Sequence, residues 1–362
     1  MHAFKKTFEF PFKFLIPNYI QRYLDQNYLI KRYIKFIKRY IYIILKNQKK
    51  LENNKISKAH QNLLWINLSA PSIGDSLMDL SSRILIKDAK IDLYTEIQNA
   101  HLYEFDVNFL NVFTNKSLIN QNDYDLVIID SYSTRSIRVK NDIAPKLPFV
   151  GMFGYFNGPE VNRVLFSFHR MNQLLGDILS ESEISKIAKT SLSTSEDDKE
   201  VISKMNLPRD YISIAIGGEW AYRTFNNWGL FIEKLLARDN QLNIVLVGSQ
   251  NGYELGRKLT NNFDDFNITN CVSKYTFLQT AEIIKDSSIL VCCDGGLMHA
   301  ANAVNTPIIP LFARLDEHMQ LTNPICSFAL FDEYDVNNID VENIYEMFLN
   351  ASKHIRNSNT SY

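Results

Sequence analysis

The chain has 362 residues, 46% of them hydrophobic and 12% aromatic, with a formal net charge of −1. That length holds two α/β domains at roughly 100–200 residues each, and the composition excludes a disordered chain. Near-neutrality is an average of unlike parts: residues 1–50 carry twelve Lys/Arg against Glu9 and Asp25, a net +10, which leaves −11 on the remainder.

The basic part comes first. With Leu29 to Lys46 wound as a helix, Lys31, Arg32, Lys35, Lys38, Arg39 and Lys46 fall within an arc of about 120°. Ile30, Tyr33, Ile34, Ile37, Tyr40, Ile41 and Ile44 fill the opposite side. Phe4, Phe8, Phe10, Phe12 and Phe14 add aromatic weight upstream, until Pro17 interrupts. A basic amphipathic helix with aromatics suits an anionic membrane surface, so residues 1–50 are expected to attach there. An accessory helix packed on the body with a solvated basic face is the plainer alternative. The acidic body offers no second basic patch for a phosphate backbone, so a nucleic-acid partner is not expected. No apolar span of about 20 residues predicts a transmembrane helix. The start lacks the charged, apolar and small-residue blocks of a cleaved signal peptide.

From Asn62 the pattern alternates. Apolar runs at Leu63–Leu68, Ile91–Tyr94, Leu126–Ile129 and Pro148–Phe153 predict strands, with helices at Asp75–Ile86 and Arg163–Leu175. The polar, Ser/Thr-rich run Lys189–Lys199 reads as a linker. Alternation then resumes, with strands at Tyr211–Ile216, Ile244–Gly248, Ile289–Cys293 and Pro307–Leu311. Helices are expected at Trp228–Ala237, Tyr253–Leu259, Phe277–Lys285 and Leu297–Val304. Such alternation implies parallel sheets covered on both faces. The division expected is a basic arm (1–55), a first Rossmann-like domain (56–188), a linker (189–205) and a second such domain with a C-terminal helix (206–362). A cleft between the domains would lie beyond the strands' carboxyl ends.

Three strand-end turns carry candidate chemistry. After the first strand, Ser72-Ile-Gly74-Asp75 opens a helix, whose dipole favours an ionised Asp75 able to accept a proton. A plain capping acid is the competing reading. After the first strand of the second half come Gly217, Gly218 and Arg223. The glycines permit close backbone approach, and Arg223 either clamps a phosphate or is a solvated surface residue. The third turn is Val291-Cys-Cys-Asp294-Gly295-Gly296-Leu-Met-His299-Ala-Ala, a buried strand turning into a helix whose N-terminus can face an anion. Asp294 either holds that turn or contacts a ligand, and His299 suits a buried core equally well. Glu254, after the strand ending at Gly248, is placed to meet ribose hydroxyls or simply to start a helix. Four cysteines (Cys271, Cys292, Cys293, Cys326) show no metal-ligand pattern. Cys292 and Cys293 read as small buried hydrophobes, and a reduced, cytoplasmic setting fits. The one Asp-x-Asp, Asp123-Tyr-Asp125, precedes a strand and is not taken as a metal-diphosphate site.

In this order the turns resemble the glycosyltransferase family 9 heptosyltransferases. The resemblance rests on Ser72-Ile-Gly74-Asp75, Trp228, Val247-Gly248-Ser249, the run Asp294-Gly-Gly-Leu-Met-His299-Ala-Ala and Asn305-Thr-Pro307. The helix segment His169-Arg-Met-Asn-Gln-Leu-Leu-Gly176 adds to it, and the likeness spans roughly residues 60–330. It implies the GT-B fold, with parallel sheets facing an interdomain cleft. It also implies a nucleotide-sugar donor on the second domain, ADP-heptose being most typical, and a lipid-anchored saccharide acceptor on the first. The acceptor typical of the family is the inner core of lipopolysaccharide or lipooligosaccharide. Transfer would invert the anomeric centre without a metal or cofactor, on the cytoplasmic side of the inner membrane.

Asp75 would then be the general base, with Ser72 and Gly74 on the acceptor side. Gly217, Gly218, Arg223, Asn226, Gly248, Glu254, Asp294, Gly295, Gly296, Leu297 and His299 would surround the donor. One position departs from the family: where a lysine usually serves the donor phosphates, this chain has Asn226. A nucleotide-sugar epimerase of the same fold, or a non-catalytic relative, are the alternative readings.

Overall fold

The computed structural model describes residues 33–155 and 161–359. It falls into two compact units, one with the described residues up to Ser193 plus His318–Pro324, the other Thr194–Glu317 with Ile325 onward. The aromatic positions Phe4–Phe14, Pro17, Ile30, Lys31 and Arg32 lie outside the described residues.

The first unit is built on a five-stranded parallel sheet in the order β3-β2-β1-β4-β5. Its strands are β1 (Asn62–Asn67), β2 (Lys90–Thr95), β3 (Asn111–Phe113), β4 (Leu126–Ile129) and β5 (Phe149–Gly151). Leu63, Leu64, Ile66 and all of β4 are buried, as central strands covered on both faces must be. A helix over 33–45 (α1) precedes the sheet, followed by α2 (Ile73–Asp79), α3 (Thr134–Ile143) and α4 (Arg163–Leu175). The sequence predicts one helix to Ile86, but α2 ends at Asp79 and a 3-10 turn, Ser81–Leu85, continues it. Asn162 caps α4 by accepting from the Leu165 N–H at 3.1 Å, and Gly176, in the left-handed region at φ 95°, ends it.

Helix α1 packs on this unit by a narrow seam. Phe36 and Ile43 are buried in the cluster that also holds Leu64, Ile66 and Phe149. The Phe36 and Tyr40 rings lie 5.6 and 6.0 Å from that of Tyr155. Just past the helix, Gln48 is the polar anchor. Its amide donates to Asn141 Oδ1 (3.0 Å) and Pro145 O (3.1 Å), while its Oε1 accepts from the buried Lys140 Nζ at 2.6 Å. The accessory-helix reading therefore describes part of the arm. The helix is not simply two-sided: Phe36, Tyr40 and Ile43 face the protein, whereas other apolar side chains face out. The late segment His318–Pro324 also belongs to this unit. Asn162 Nδ2 donates to His318 O (3.0 Å) and Leu321 O (2.6 Å), and Thr322 Oγ1 donates to Ala188 O at 2.5 Å.

The second unit has a six-stranded parallel sheet in the order β11-β10-β9-β6-β7-β8. The strands are β6 (Tyr211–Ala215), β7 (Asn243–Val247), β8 (Ile268–Asn270), β9 (Leu290–Cys293), β10 (Ile308–Ala313) and β11 (Leu330–Asp332). Its helices are α5 (Glu196–Ser203), α6 (Trp228–Arg238), α7 (Tyr253–Asn262), α8 (Phe277–Lys285), α9 (Gly296–Val304) and α10 (Val341–Asn359). The polar run read as linker is not all loop. Ser195 and Asp198 form a capping box that starts α5. Trp228, Phe231 and Phe348 join α6 and α10 to the core.

All four cysteines are free thiols, and Cys271 and Cys292 are buried. Among the described residues no helix is long and apolar enough to cross a membrane. No group of three or more His, Cys, Asp or Glu among them is placed to hold a metal ion.

The seam can be tested at Gln48. Gln48→Ala leaves the buried Lys140 ammonium with one acceptor fewer and is expected to cost about 1–3 kcal/mol in urea unfolding. A loss below about 0.5 kcal/mol would mean that this anchor does not hold α1.

Candidate functional site

In each unit the strand order reverses beside the first strand, and ligands of open α/β sheets bind where the loops part at such a point. In the first unit the reversal lies between β1 and β4. Asp130, directly after β4, accepts from the Leu68 and Ser69 N–H groups (2.7 and 2.6 Å), tying the loop after β1 across the gap.

That loop leads into α2. Ser72 is its N-cap, accepting from the Asp75 N–H at 3.2 Å while its hydroxyl donates to Asp75 Oδ2 at 2.7 Å. Gly74 is buried in the first turn. Ser72, not Asp75, is therefore the capping residue, and the Asp75 side chain remains about a quarter exposed. Its other oxygen meets Arg163 Nη1 at 3.2 Å. The same guanidinium forms a bidentate pair with Asp79, Nε to Oδ1 at 2.8 Å and Nη2 to Oδ2 at 2.6 Å. Burial pushes the Asp79 carboxyl up to about 6, with Arg163 opposing the shift. One cation thus serves two carboxylates, and the better geometry goes to the buried one.

Sequence reasoning missed both Asp79 and Arg163. Asp79 had a signal, because it lies four residues after Asp75 on one helix face. Arg163 had none, since it opens a helix 88 positions downstream.

In the second unit the reversal lies between β6 and β9. Arg223, in the turn after β6, pairs with the buried Asp294 at the end of β9, Nη1 to Oδ2 at 2.8 Å. Asp294 therefore holds the turn through that arginine. The Arg223 guanidinium lies 5.3 Å from the Tyr222 ring centre, and that of Arg314 only 3.7 Å from the same ring. Arg314 directly follows β10, in the left-handed region at φ 67°. A bulky residue held there is strained, which suits a functional position. The sequence reading overlooked it, although an arginine just past a buried apolar run was the available signal. Asn226 lies on an exposed loop whose backbone N–H donates to Asn337 Oδ1 at 2.8 Å.

The glycines divide into two kinds. A Cβ on Gly217, at φ 87°, would lie 2.7 Å from Gly252 N, and one on Gly218 would lie 2.2 Å from Thr224 Oγ1. A Cβ on Gly248 would meet Ile216 O at 2.5 Å. These three are glycines because the protein's own loops pack there. Gly295 has nothing within 4 Å of a Cβ position, and Gly296 only Phe277 at 3.7 Å. Here the backbone at the start of α9 is open. Gly295, Gly296 and Leu297 are half-buried, and the first-turn N–H groups have no partners within the helix. His299, one turn on, is buried. Glu254 is exposed and pairs with Arg257 at 3.0 Å. The Asp123-Tyr-Asp125 run lies away from any strand's carboxyl end, Asp125 accepting from the Gln61 and Asn62 N–H groups before β4.

The two glycine classes differ in a measurable way. Gly217→Ala is expected to cost about 2 kcal/mol or more through strain and clash. Gly295→Ala should cost no more than about 1 kcal/mol, the loss of a favourable N-cap. Urea unfolding of both variants checks the order, and equal losses would contradict it.

Residues 161–327, a little under half of the chain, match the family model of glycosyltransferase family 9 (heptosyltransferase). No curated protein matches the chain. Among solved structures, a glycosyl transferase family 9 protein from Veillonella parvula is similar at 13% identity and TM-score 0.67, over 83% of this chain and 99% of that one. The E. coli ADP-heptose lps heptosyltransferase II is similar at 17% identity and TM-score 0.61, over 80% and 98%. E. coli heptosyltransferase WaaC, solved with ADP, is similar at 16% identity and TM-score 0.57, over 82% and 99%. Residues 161–327 thus resemble glycosyltransferase family 9, and the chain shares the GT-B architecture of these solved structures, two α/β units each built on a parallel sheet.

Proposed function

We propose that the chain transfers heptose from ADP-heptose to a lipid-anchored saccharide, the inner core of lipopolysaccharide or lipooligosaccharide. The reading places it on the cytoplasmic side of the inner membrane. The observation that carries it is the open helix start at Gly295–Leu297, flanked by Arg223 and bordered by an aromatic that Arg314 also meets. An anion is what such a place attracts. Asp294 offsets the charge of Arg223, so Arg314 and the helix terminus supply the surplus positive potential, and Arg314 stands in for the lysine that Asn226 replaces.

The chemistry follows as one displacement. Asp75 accepts the proton of the acceptor hydroxyl while that oxygen forms its bond to the anomeric carbon. The bond to the diphosphate breaks, and ADP leaves with the electron pair, so the configuration inverts. An alcohol is far less acidic than a carboxylic acid, so proton transfer must accompany attack. The leaving group's growing charge meets N–H dipoles and guanidinium groups fixed in advance, so this reading assigns no metal to the step. Ser72 orients Asp75, and Asp79 holds most of Arg163, which leaves Asp75 a usable base. Gly217, Gly218 and Gly248 shape the donor loops, while Glu254 and His299 complete the donor side.

The test is transfer from ADP-heptose to a heptose-free core acceptor, with UDP- and GDP-sugars as controls. Wild type should use the ADP donor, whereas conversion of the donor alone to an isomer would mark an epimerase. Asp75→Asn should lower kcat by about a hundred- to ten-thousand-fold with ADP affinity retained, and full activity would refute the base assignment.

A pH profile tests Asp79. Below about 6 its carboxyl is neutral and Arg163 is left to Asp75 alone, which ties up the carboxylate that must take the acceptor proton. The rate should therefore fall as pH drops through about 6. Asp79→Asn should remove that inflection and lower the rate at pH 7.5, and an unchanged inflection would exclude Asp79 as its source.

A further inference from the structure

Helix α1 has three faces, where an amphipathic helix has two. At about 100° per residue, Phe36, Tyr40 and Ile43 occupy one sector and face the first unit. Tyr33, Ile34, Ile37, Ile41, Ile44 and Leu45 fill a second sector of about 120°. Their exposure runs from 47% to 72%, against 8% and 0% for Phe36 and Ile43. Lys35, Lys38 and Lys46, all exposed, lie in the third sector together with Tyr42.

We propose that α1 lies in the plane of an anionic lipid bilayer and holds the first unit against it. The outer apolar sector would enter the acyl boundary, and the lysines on one shoulder would reach the headgroups. The first unit sits on the other shoulder. Five exposed aliphatic side chains on one helix, those of Ile34, Ile37, Ile41, Ile44 and Leu45, need an apolar partner. The charges select which one. No acidic residue occurs from Gln26 to Leu51, so a second copy laid on this face would bring lysine against lysine. Anionic phosphates satisfy the same lysines, whose long stems let the amines rise to headgroup level. The twelve Lys/Arg of residues 1–50 add to that attraction. The inference rests on the lipid-anchored acceptor only for its purpose: the unit carrying Asp75 would be the one held at the surface.

Binding is measured by co-sedimentation of the full chain with vesicles of phosphatidylcholine alone, or mixed with phosphatidylglycerol. The wild type should sediment with the anionic vesicles and be released as salt screens the lysines. The triple variant Ile34→Ser, Ile37→Ser, Ile41→Ser should lose at least tenfold in vesicle affinity while unfolding as the wild type does. Lys35→Glu with Lys38→Glu should abolish the preference for anionic over neutral lipid. A triple variant that binds like wild type overturns the proposal. So does a wild type that ignores vesicles but forms a dimer that the triple variant dissolves, which would assign the face to a second copy. Transfer to a soluble, delipidated acceptor is followed in parallel and should be equal in wild type and triple variant. If neither transfers, the transferase reading fails while the vesicle result stands.

Discussion

Both units depend on one constraint: a parallel sheet that reverses its strand order must let two neighbouring loops part company. The gap that opens is where a ligand can reach backbone, and it is also a weakness, because exposed strand ends lack lateral support. The chain answers it the same way twice. Asp130 directly follows β4 and accepts from two N–H groups in the loop after β1. Asp294 directly follows β9 and pairs with Arg223 in the turn after β6. An acid one residue beyond the strand ties down the loop opposite, so the gap stays open but its walls are fixed. No sequence repeat announces this echo. It follows from placing the same kind of residue at the same topological point.

That difference explains what could be read before the structure. Strands such as Leu126–Ile129 and helices such as Arg163–Leu175 and Phe277–Lys285 appear at the bounds the pattern predicts, because burial and periodicity are local signals. The edge strands Asn111–Phe113, Ile268–Asn270 and Leu330–Asp332 were not predicted. Three residues at a sheet margin, only partly buried, leave no apolar run to detect. The site was legible to the extent that glycines and acids at strand ends are visible. The partners of those acids were not, since Arg163 reaches Asp75 and Arg223 reaches Asp294 only through the fold. The glycine reading needed the most revision, because sequence cannot distinguish a glycine required by a neighbouring loop from one that leaves space for something else.

The first unit also shows how two carboxylates on one helix face can hold different positions around a shared cation. Asp79 is almost sealed and takes the bidentate contact, while Asp75 keeps solvent access and a single longer one. A buried acid without Arg163 would simply stay protonated. With it, the pair is matched well enough to draw the cation off the exposed acid.

The return segment His318–Pro324 means that the chain crosses between its two units three times, at residues 193/194, 317/318 and 324/325. Neither unit is a continuous stretch of polypeptide. A fragment ending at Ser193 would lack the carbonyls of His318 and Leu321 that satisfy Asn162, the cap of α4, and the hydroxyl of Thr322 that satisfies Ala188. Asn162 directly precedes Arg163, so a cut made far away in sequence loosens the very turn that supplies the shared cation. The protein has two architectural halves and one covalent weave, and it cannot be cut at Ser193 without reaching Asp75.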